Sequence, residues 1–560
     1  MTAQVYLIAG QSNALGRLLV SQYEGFEFNF TPDVPLDDYV AANGVTFVDA
    51  LTADTPEDRI QDVFGPEYAL SLALARAGQG PITIVKSALG GVRIDDTAGE
   101  YDWNWTAPRP TQAVDADSPM QEGQGLELFW KTVSVVEDAL QVAGVSELSG
   151  LFWMQGEAHT QTLADAQAYE SLLTDFLLTL DETLNPNGDE LTLDLQTVIG
   201  EIAATSPRSS RFDGTEEVRR AQQAVANDLG ATLLDTNDLP MNDSVHFSPT
   251  GSFRLGLETA QSFAAVPITT ATEAEETVRA GATADIHDLL GGTDVFFGHS
   301  GSDVALGGAG NEKMYGRAGN DTLLGEDGAD FMYGQDGDDL VYGGEDNDRI
   351  YGNDGEDFLI GENGADFLFG QDGTDRLYGG YGNDRMYGGN GGDLLAGEQG
   401  SDFLAGQAGD DILIAAFGVD QLVGGAGADT FVFDYRAGSN FGPSNGLNAA
   451  LINDFDETED RLVIRVAHEN VEFNAQSGPV GDPASPALRE SSPLTDGMIL
   501  DEMMSTFTDS NGILWTLIRP FDGENDSVRL QGDYTHLDLV LNIPDGGADF
   551  YYQLVLEGLS

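Results

Sequence analysis

The sequence predicts an α/β domain with a parallel sheet, followed by a coiled array of short repeats and a smaller β-rich segment. Three observations lead to this prediction. Up to about residue 264, short apolar runs alternate with amphipathic helical stretches, which is typical of a parallel sheet with helices on both faces. From about residue 286, glycine and aspartate recur with a nine-residue period. Beyond residue 434 the period stops and isolated strand-like runs remain.

The elements of the first region follow from its hydrophobic pattern. The predicted strands are Val5–Ala9, Ile82–Val85, Gly150–Met154, Leu193–Ile199 and Thr232–Leu234. The predicted helices are Glu67–Ala77, Leu126–Val142, Ala164–Leu180, Thr215–Leu229 and Ser252–Phe263. A following stretch rich in threonine, alanine and glutamate is predicted to be a linker. The expected divisions are therefore 1–265, 266–285, 286–434 and 435–560.

The composition excludes several classes of protein. The chain has 560 residues, of which 95 are acidic and 24 basic, so its formal net charge is −71. Such a chain repels phosphate backbones, so we expect no nucleic-acid partner. No apolar run reaches the 18 residues of a membrane span, so no membrane insertion is expected. Cysteine is absent, which excludes disulfides and thiolate chemistry, and the carboxylate excess favours calcium as a structural staple.

The repeat places a carboxylate at the same phase in sixteen consecutive nine-residue units. Glycine stands two residues before each carboxylate, except at Asp346, and an apolar residue always stands two residues after it. Glu312 fills one of the sixteen positions. The candidate metal ligands are the other fifteen, Asp294, Asp303, Asp321, Asp330, Asp339, Asp348, Asp357, Asp366, Asp375, Asp384, Asp393, Asp402, Asp411, Asp420 and Asp429.

Elementary chemistry explains this pattern. Glycine permits the positive-φ conformation of tight turns, and aspartate and carbonyl oxygens are the ligands that calcium prefers. One unit cannot bury its apolar side chain alone, so the units must stack into a coil. Between Gly291 and Asp434 there are 29 acidic and 5 basic residues, so we expect folding to require calcium. The alternative, a flexible acidic spacer, would not need an apolar residue at one phase.

Units such as Gly316–Leu324 resemble the RTX repeats of bacterial proteins secreted by type I exporters. This resemblance implies a parallel β-roll with structural calcium between its turns. It also implies a secreted, extracellular protein whose exporter reads an uncleaved C-terminal signal. The N-terminus shows no signal peptide, so the signal is expected within 435–560. Gly427–Phe433 and Ile452–Asp456 look like the closing segment of RTX metalloproteases, but no His-Glu-x-x-His motif accompanies them.

Four motifs at strand ends or before a helix indicate acyl-transfer chemistry. Ser12 follows the first strand, Gly90 and Gly91 follow the second, and Gln155 follows the third. Asp243 and His246 precede the last helix, and an aspartate at this spacing can orient a histidine that takes the serine proton. Taken alone, a serine after a strand is more often a helix N-cap than a nucleophile. The four motifs together predict a Ser-His-Asp acyl hydrolase.

These residues resemble the SGNH hydrolase superfamily, in particular the branch of carbohydrate esterase family 6 and the sialate O-acetylesterases. The segments 65–67 and 218–222 are also similar to this branch. The resemblance implies a flavodoxin-like three-layer fold with Ser12 as nucleophile, served by His246 and Asp243. The oxyanion donors would be Ser12, Gly90 or Gly91, and Gln155, and catalysis would need no cofactor.

The candidate substrate-binding residues are Asn13, Glu157, His159, Trp103 and Trp105. His159 stands where the family commonly has aspartate, and it contacts substrate, binds a cation or is a neutral surface residue. The two tryptophans either form a platform for sugar rings or pack against the domain. We expect a secreted, calcium-dependent carbohydrate esterase that removes O-acetyl groups from polysaccharide, as an acetylxylan esterase does. The alternatives are a sialate O-acetylesterase, a general short-chain esterase, and a non-catalytic calcium-binding surface protein.

Overall fold

The structure is a computed structural model. In it the chain folds into two compact units, residues 1–267 and 268–560. The structure describes residues 3–10, 45–49, 66–88, 127–154, 163–184, 193, 195–202, 215–237, 239, 249–272, 274–282, 285–435, 449–456, 458–467, 498–499, 504–508, 514–518, 527–531, 538–542 and 551–557.

The first unit contains six described strands and five described helices. The strands are β1 Gln4–Gly10, β2 Val45–Asp49, β3 Ile82–Ala88, β4 Gly150–Met154, β5 Thr197–Gly200 and β6 Thr232–Leu234. The helices are α1 Pro66–Arg76, α2 Glu127–Ala143, α3 Leu163–Leu184, α4 Thr215–Leu229 and α5 Pro249–Phe263.

The six strands form one parallel sheet in the order β2-β3-β1-β4-β5-β6. Without the edge strand β2, the remaining strands follow the 2-1-3-4-5 order of flavodoxin-like folds. The predicted α/β fold is therefore confirmed. The direction of winding changes between β1 and β4, and open α/β sheets bind ligands beyond the carboxyl ends of the strands at such a point.

Helices cover both faces of this sheet. Leu7 and Ala9 of β1 belong to a buried cluster that also includes apolar residues of α2, α3 and α4. Tyr6 lies between Val5 and Leu7 and points to the other face, where its ring lies 5.2 Å from that of Phe263 in α5. Burial on both faces explains why these strands read as continuous apolar runs.

Several elements of this unit differ from the prediction. Strand β3 ends at Ala88 rather than Val85, and helix α3 ends at Leu184 rather than Leu180. The edge strand β2 was not predicted.

Strand β5 begins at Thr197, although the apolar run suggested a start at Leu193. The backbone N–H of Leu195 donates to the Asp181 carboxylate of α3, at 3.2 Å, and not to a neighbouring strand. At Leu195 the chain is therefore held against the helix and does not pair in the sheet.

The second unit is built from short strands. They are β7 Ile268–Thr270, β8 Thr277–Arg279, β9 Ile286–Asp288, β10 Val295–Phe297, β11 Val304–Leu306, β12 Lys313–Ala318, β13 Thr322–Asp327, β14 Phe331–Asp336, β15 Leu340–Glu345, β16 Arg349–Asp354, β17 Phe358–Asn363, β18 Phe367–Asp372, β19 Arg376–Tyr381, β20 Arg385–Asn390, β21 Leu394–Gln399, β22 Phe403–Ala408, β23 Ile412–Ala415, β24 Val419–Ala426, β25 Thr430–Tyr435, β26 Ala449–Ile452, β27 Arg461–Ala467, β28 Met498–Ile499, β29 Met504–Thr508, β30 Leu514–Ile518, β31 Ser527–Gln531, β32 Asp538–Asn542 and β33 Tyr551–Glu557.

Successive repeats alternate between two parallel sheets. Val341 of β15 illustrates the register, because it pairs with Leu323 of β13 on one side and with Leu359 of β17 on the other. Neighbouring strands of one sheet therefore lie 18 residues apart in sequence, and two nine-residue units complete one turn. The predicted parallel β-roll is confirmed.

The apolar residue of each unit forms the core of the roll. All sixteen are at most 1% exposed, from Phe296 at the start to Phe431 at the end, and they line up in one continuous cluster. Since each side chain packs against the units before and after it, the roll has no core without stacking.

The roll extends beyond the predicted repeat region at both ends. Strands β7 and β8, which fall within the predicted linker, pair in parallel with β9 and β10 at the same 18-residue spacing. At the other end β26 and β31 continue one sheet in parallel, and β33 joins β27 of the other sheet in antiparallel orientation. These additions cover apolar turns that a repeat array would otherwise leave open.

None of the helices in the described part of the chain combines the length and hydrophobicity needed to cross a bilayer.

Shortening one core side chain should destabilise the roll. We expect Leu359→Ala, at a fully buried position, to reduce the free energy of unfolding by about 2–5 kcal/mol because it leaves a cavity. Urea titration of the calcium-saturated protein, followed by circular dichroism, measures this change. Val419→Ala is the control, since Val419 is 39% exposed and should lose about 0.5 kcal/mol or less. Equal losses in the two variants would contradict the assigned core.

Candidate active site and candidate calcium sites

The catalytic and substrate-binding residues predicted for the first unit lie outside the described residues. They are Ser12, Asn13, Gly90, Gly91, Trp103, Trp105, Gln155, Glu157, His159, Asp243 and His246. Their assignment remains a prediction, but the structure describes the strands and the helix that border them.

Three of these motifs follow strands that end side by side. Gly10, the last residue of β1, pairs with Ala88 of β3 on one side and Met154 of β4 on the other. All three are the final residues of their strands. Ser12, the glycine pair and Gln155 each follow one of these ends within three residues along the chain.

The carboxyl end of the neighbouring strand β5 is held by two polar residues of α4. Gln222 donates to the Gly200 carbonyl and accepts from the Ile202 N–H, both at 3.1 Å. Arg219 forms an ion pair with Glu201. Burial raises the pKa of Glu201, and the positive charge of Arg219 opposes this rise. Arg219 and Gln222 belong to the segment that resembles the esterase branch, and their described role is to fix this end of the strand.

The repeat carboxylates form two hydrogen-bonded ladders along the roll. In each ladder, one Oδ1 accepts from the backbone N–H of the carboxylate residue 18 positions earlier. Thus Asp357 accepts from Asp339 and its own N–H donates to Asp375, at 2.8 and 2.9 Å. Asp366 does the same between Asp348 and Asp384 in the other ladder. All fifteen aspartates and Glu312 are at most 3% exposed.

The second carboxylate oxygen has a different environment. In eleven of these residues Oδ2 is buried and has no hydrogen-bond partner among the described residues. They are Asp294, Asp339, Asp348, Asp357, Asp366, Asp375, Asp384, Asp393, Asp402, Asp411 and Asp420. Buried oxygen atoms of this kind normally have a donor or a cation beside them.

A glycine keeps space open beside nine of these eleven oxygens, and the exceptions are Asp294 and Asp420. A Cβ built on Gly361 would lie less than 3.0 Å from both Asp366 Oδ2 and the Gly379 carbonyl oxygen. Gly343 stands in the same relation to Asp348 and to the Gly361 carbonyl oxygen. Two acceptor oxygens therefore flank one small space that any larger residue would fill, which fits a hard cation that takes oxygen ligands.

Burial without a compensating positive charge raises the pKa of these carboxyl groups. Desolvation raises the pKa to about 7 for Asp357, to about 8 for Asp366 and to about 10 for Asp348, while the hydrogen bond from the backbone opposes it. Neighbouring carboxylates add to the rise at Asp348, since Asp330 and Asp366 repel its charge. Such groups are fully ionised at neutral pH only when a cation balances them.

The side chains near the ladders also limit which ligands a bound cation could have. Among the residues that the structure describes, no three aspartate, glutamate or histidine side chains converge on one point. A cation at the ladders would therefore draw on fewer than three carboxylates and complete its shell with backbone carbonyls such as that of Gly379. Calcium accepts such carbonyl-rich shells, whereas a transition metal would favour nitrogen or sulfur.

The turn backbone explains the glycine of each repeat and its one exception. Gly373 has φ +157°, and a Cβ there would collide with the Gly355 carbonyl of the turn before. Asp346 replaces this glycine in one unit and adopts φ +73°, a left-handed conformation that aspartate tolerates better than most residues.

Two further carboxylates belong to the ladders, although they were not among the predicted ligands. Glu312 is fully buried, its N–H donates to Asp330 at 2.7 Å, and burial raises its pKa to about 7. Asp460 accepts from the N–H of Asp429 at 3.0 Å and so takes the next place after the last repeat. The nine-residue phase of the sequence indicated Glu312. Asp460 lies 31 residues after Asp429, outside that phase, and only the fold places it next to Asp429 in the ladder.

Known families match the first unit and part of the second. Residues 2–265 match the family described as carbohydrate esterase, sialic acid-specific acetylesterase. Four consecutive segments, 288–323, 324–359, 360–395 and 396–431, match the RTX calcium-binding nonapeptide repeat. The chain therefore joins an esterase domain of this family, a hydrolase acting on ester bonds, to an RTX calcium-binding array.

Several solved structures are similar to parts of the chain. A protein from Arabidopsis thaliana is 20% identical over 46% of this chain and 97% of its own, with a TM-score of 0.33. XAC1771, a carbohydrate acetylesterase from Xanthomonas citri, is 17% identical over 46% of this chain and 55% of its own, with a TM-score of 0.30. NanS is 15% identical over 47% and 96%, with a TM-score of 0.32. No curated protein matches the chain significantly.

Removing one ladder carboxylate should weaken calcium-dependent folding. We expect Asp357→Asn to raise the calcium concentration at the folding midpoint by about two- to tenfold, because the amide loses the negative charge beside the open space. Calcium titration followed by circular dichroism measures the midpoint. Asp354→Asn, at an exposed position three residues away, is the matched control and should leave it unchanged. Equal effects of the two substitutions would mean that only overall charge matters.

The raised pKa values predict an unusual pH dependence of the calcium-free protein. Ladder carboxyls release their protons near pH 4 when unfolded but near pH 7 or above in the folded roll, as for Asp357 and Asp366. The folded state therefore binds more protons in this interval, and its stability falls as the pH rises from about 4 to 8.

In chelator, we thus expect the β-sheet signal in circular dichroism to appear on acidification from about pH 8 to 4.5. High salt at pH 8 is the control for general charge repulsion, and it should not reproduce the full signal. A calcium-free protein that is better folded at pH 8 than at pH 4.5 would contradict the burial of these carboxyls.

Proposed function

We propose that this protein is a secreted serine esterase that removes O-acetyl groups from a polysaccharide, and that calcium folds its C-terminal half outside the cell. The single observation that carries the catalytic part is the pairing of Gly10 with both Ala88 and Met154. It supports the proposal because three motifs that the esterase resemblance assigns to the site follow these adjacent strand ends.

The proposed chemistry is acyl transfer through an acyl-enzyme. His246, oriented by Asp243, takes the proton of the Ser12 hydroxyl as the Ser12 oxygen attacks the ester carbonyl. The N–H groups of Ser12 and of Gly90 or Gly91, with the Gln155 amide, stabilise the oxyanion. His246 then returns the proton to the departing sugar hydroxyl. Water, activated by His246 in turn, releases acetate and restores Ser12.

The proposed calcium ligands are the fifteen repeat aspartates together with backbone carbonyls of the turns. Their support is the pairing of a buried carboxylate oxygen with an open, glycine-lined space in successive units, as at Asp366 and Gly361. Calcium there would be structural and would take no part in ester hydrolysis. Low calcium inside the cell would keep the acidic array unfolded, which suits a type I exporter that carries unfolded chains.

A second candidate substrate is an O-acetylated sialic acid. The observation that favours it is the description of the matching family, which names sialic acid-specific acetylesterases. The chemistry at Ser12 would be the same, because both substrates are acetate esters of sugar hydroxyls. The two proposals differ only in the glycan that the residues around the site accept, with Asn13, Glu157, His159, Trp103 and Trp105 as candidates.

The test of the catalytic proposal is Ser12→Ala assayed on acetylated xylan, O-acetylated sialic acid and p-nitrophenyl acetate. We expect release of acetate to fall by about 10³-fold or more on the preferred substrate, because the nucleophile is lost. The wild-type ratio of kcat/KM between xylan and sialic acid decides between the two glycans.

Calcium-induced folding of the same variant is the control and should be unchanged, since Ser12 lies outside the roll. Acetate release that survives Ser12→Ala with a normally folded roll would overturn the mechanism. Repeating the panel in chelator shows whether activity itself depends on the folded roll.

A further inference from the structure

One side of the roll carries a continuous aromatic ladder. It lies on the sheet of even-numbered strands β10 to β20, at the third position after each repeat carboxylate, and it is partly exposed. Its members are Phe297, Tyr315, Tyr333, Tyr351, Phe369 and Tyr387, which we call the aromatic ladder. Neighbouring rings are 4.7–5.1 Å apart at interplanar angles of 4–10°.

The stacking decides which part of each ring is available to a ligand. Since the ring faces inside the stack are covered by neighbouring rings, the ladder presents mainly ring edges and tyrosine hydroxyls to solvent. Ring edges carry partial positive charge, and hydroxyls donate hydrogen bonds. With strands about 4.8 Å apart, the six rings form a straight strip roughly 25 Å long.

Cations line this strip. A second column of side chains runs beside the aromatic ladder and consists of the residues two positions before the ladder position on each strand. In this column the exposed Lys313, Arg349 and Arg385 alternate with Phe331, Phe367 and Phe403. The Arg349 guanidinium lies 5.1 Å from the Phe331 ring and 5.6 Å from the Phe367 ring. At the first end of the strip, Arg279 and Arg317 both lie over Phe297. Among the described residues, none of these five cations forms an ion pair.

This distribution of charge is opposite to that of the rest of the roll. Between residues 291 and 434, acidic residues outnumber basic ones by 29 to 5. Yet four of the five basic residues lie on strands β12, β16 and β20 of this one sheet, and the fifth, Arg376, is buried on the other sheet. The ladder column and the column beside it contain no acidic residue from β10 to β22.

We propose that this face binds a linear polysaccharide that carries carboxylates, such as a polyuronate. The arginines would bind its carboxylates, while the tyrosine hydroxyls and the neighbouring amides of Gln335, Asn353 and Gln371 would bind its sugar hydroxyls. A straight strip with a regular repeat suits an extended polymer better than a globular partner. The inference is independent of ester hydrolysis, because it needs only the calcium-folded roll.

The test is calorimetric titration of the full, calcium-saturated protein with an oligogalacturonate without acetyl groups and too short to gel with calcium. A neutral xylo-oligosaccharide and a DNA oligonucleotide of similar length are titrated in parallel. We expect binding of the oligogalacturonate alone, weakening as salt is added. Arg349→Gln/Arg385→Gln should lower the affinity by about five- to tenfold.

Two further variants distinguish direct contact with the polysaccharide from an effect of the protein's net charge. Gln141→Glu/Val142→Glu changes the net charge by the same amount at exposed positions of α2 and should leave the affinity unchanged. Tyr333→Phe/Tyr351→Phe keeps the rings and removes two hydroxyls, and it should lower the affinity about two- to fivefold.

Unchanged affinity of the arginine variant, with a normal calcium-induced fold, would overturn the proposal. So would equal binding of the neutral oligosaccharide, or tighter binding of DNA.

Discussion

The burial of one carboxylate in every nine residues is the constraint on which the second half of this protein depends. Each repeat aspartate satisfies one oxygen with a backbone N–H 18 residues away, and Asp366 shares the space beside its other oxygen with the Gly379 carbonyl. Without a cation, burial alone would make ionisation costly. The same arrangement sets the pitch of the roll, because the hydrogen bond that holds the carboxylate also holds successive turns together.

Glycine is the second half of this constraint. At Gly361 it leaves open the space between two oxygens, and at Gly373 it lets one turn pass against the carbonyl of the turn before. The two roles fall at different positions of the repeat and have different physical causes, one the space for a ligand and the other the approach of two backbones. The high glycine content of the chain is thus a consequence of carboxylate burial and close stacking.

Charge is distributed unevenly between the surfaces of the roll. Acidic residues concentrate at the turns, whereas Lys313, Arg349 and Arg385 lie on one sheet beside stacked rings. On the other sheet the corresponding positions are mostly apolar and buried, as at Leu340 and Ile360. An acidic roll that has four of its five basic residues on one sheet has there a surface suited to a different ligand from a cation in its turns.

The amino-acid sequence alone determined most features that depend on local periodicity. It predicted strand Gly150–Met154 and helix Thr215–Leu229 with their observed bounds, and it identified the buried phase of the repeat, since both are properties of neighbouring residues. Only the tertiary structure decided which repeats share a sheet, where β5 begins, and that Asp460 completes a ladder. Those features depend on hydrogen bonds between residues 14 to 31 positions apart, and local hydrophobicity does not encode them.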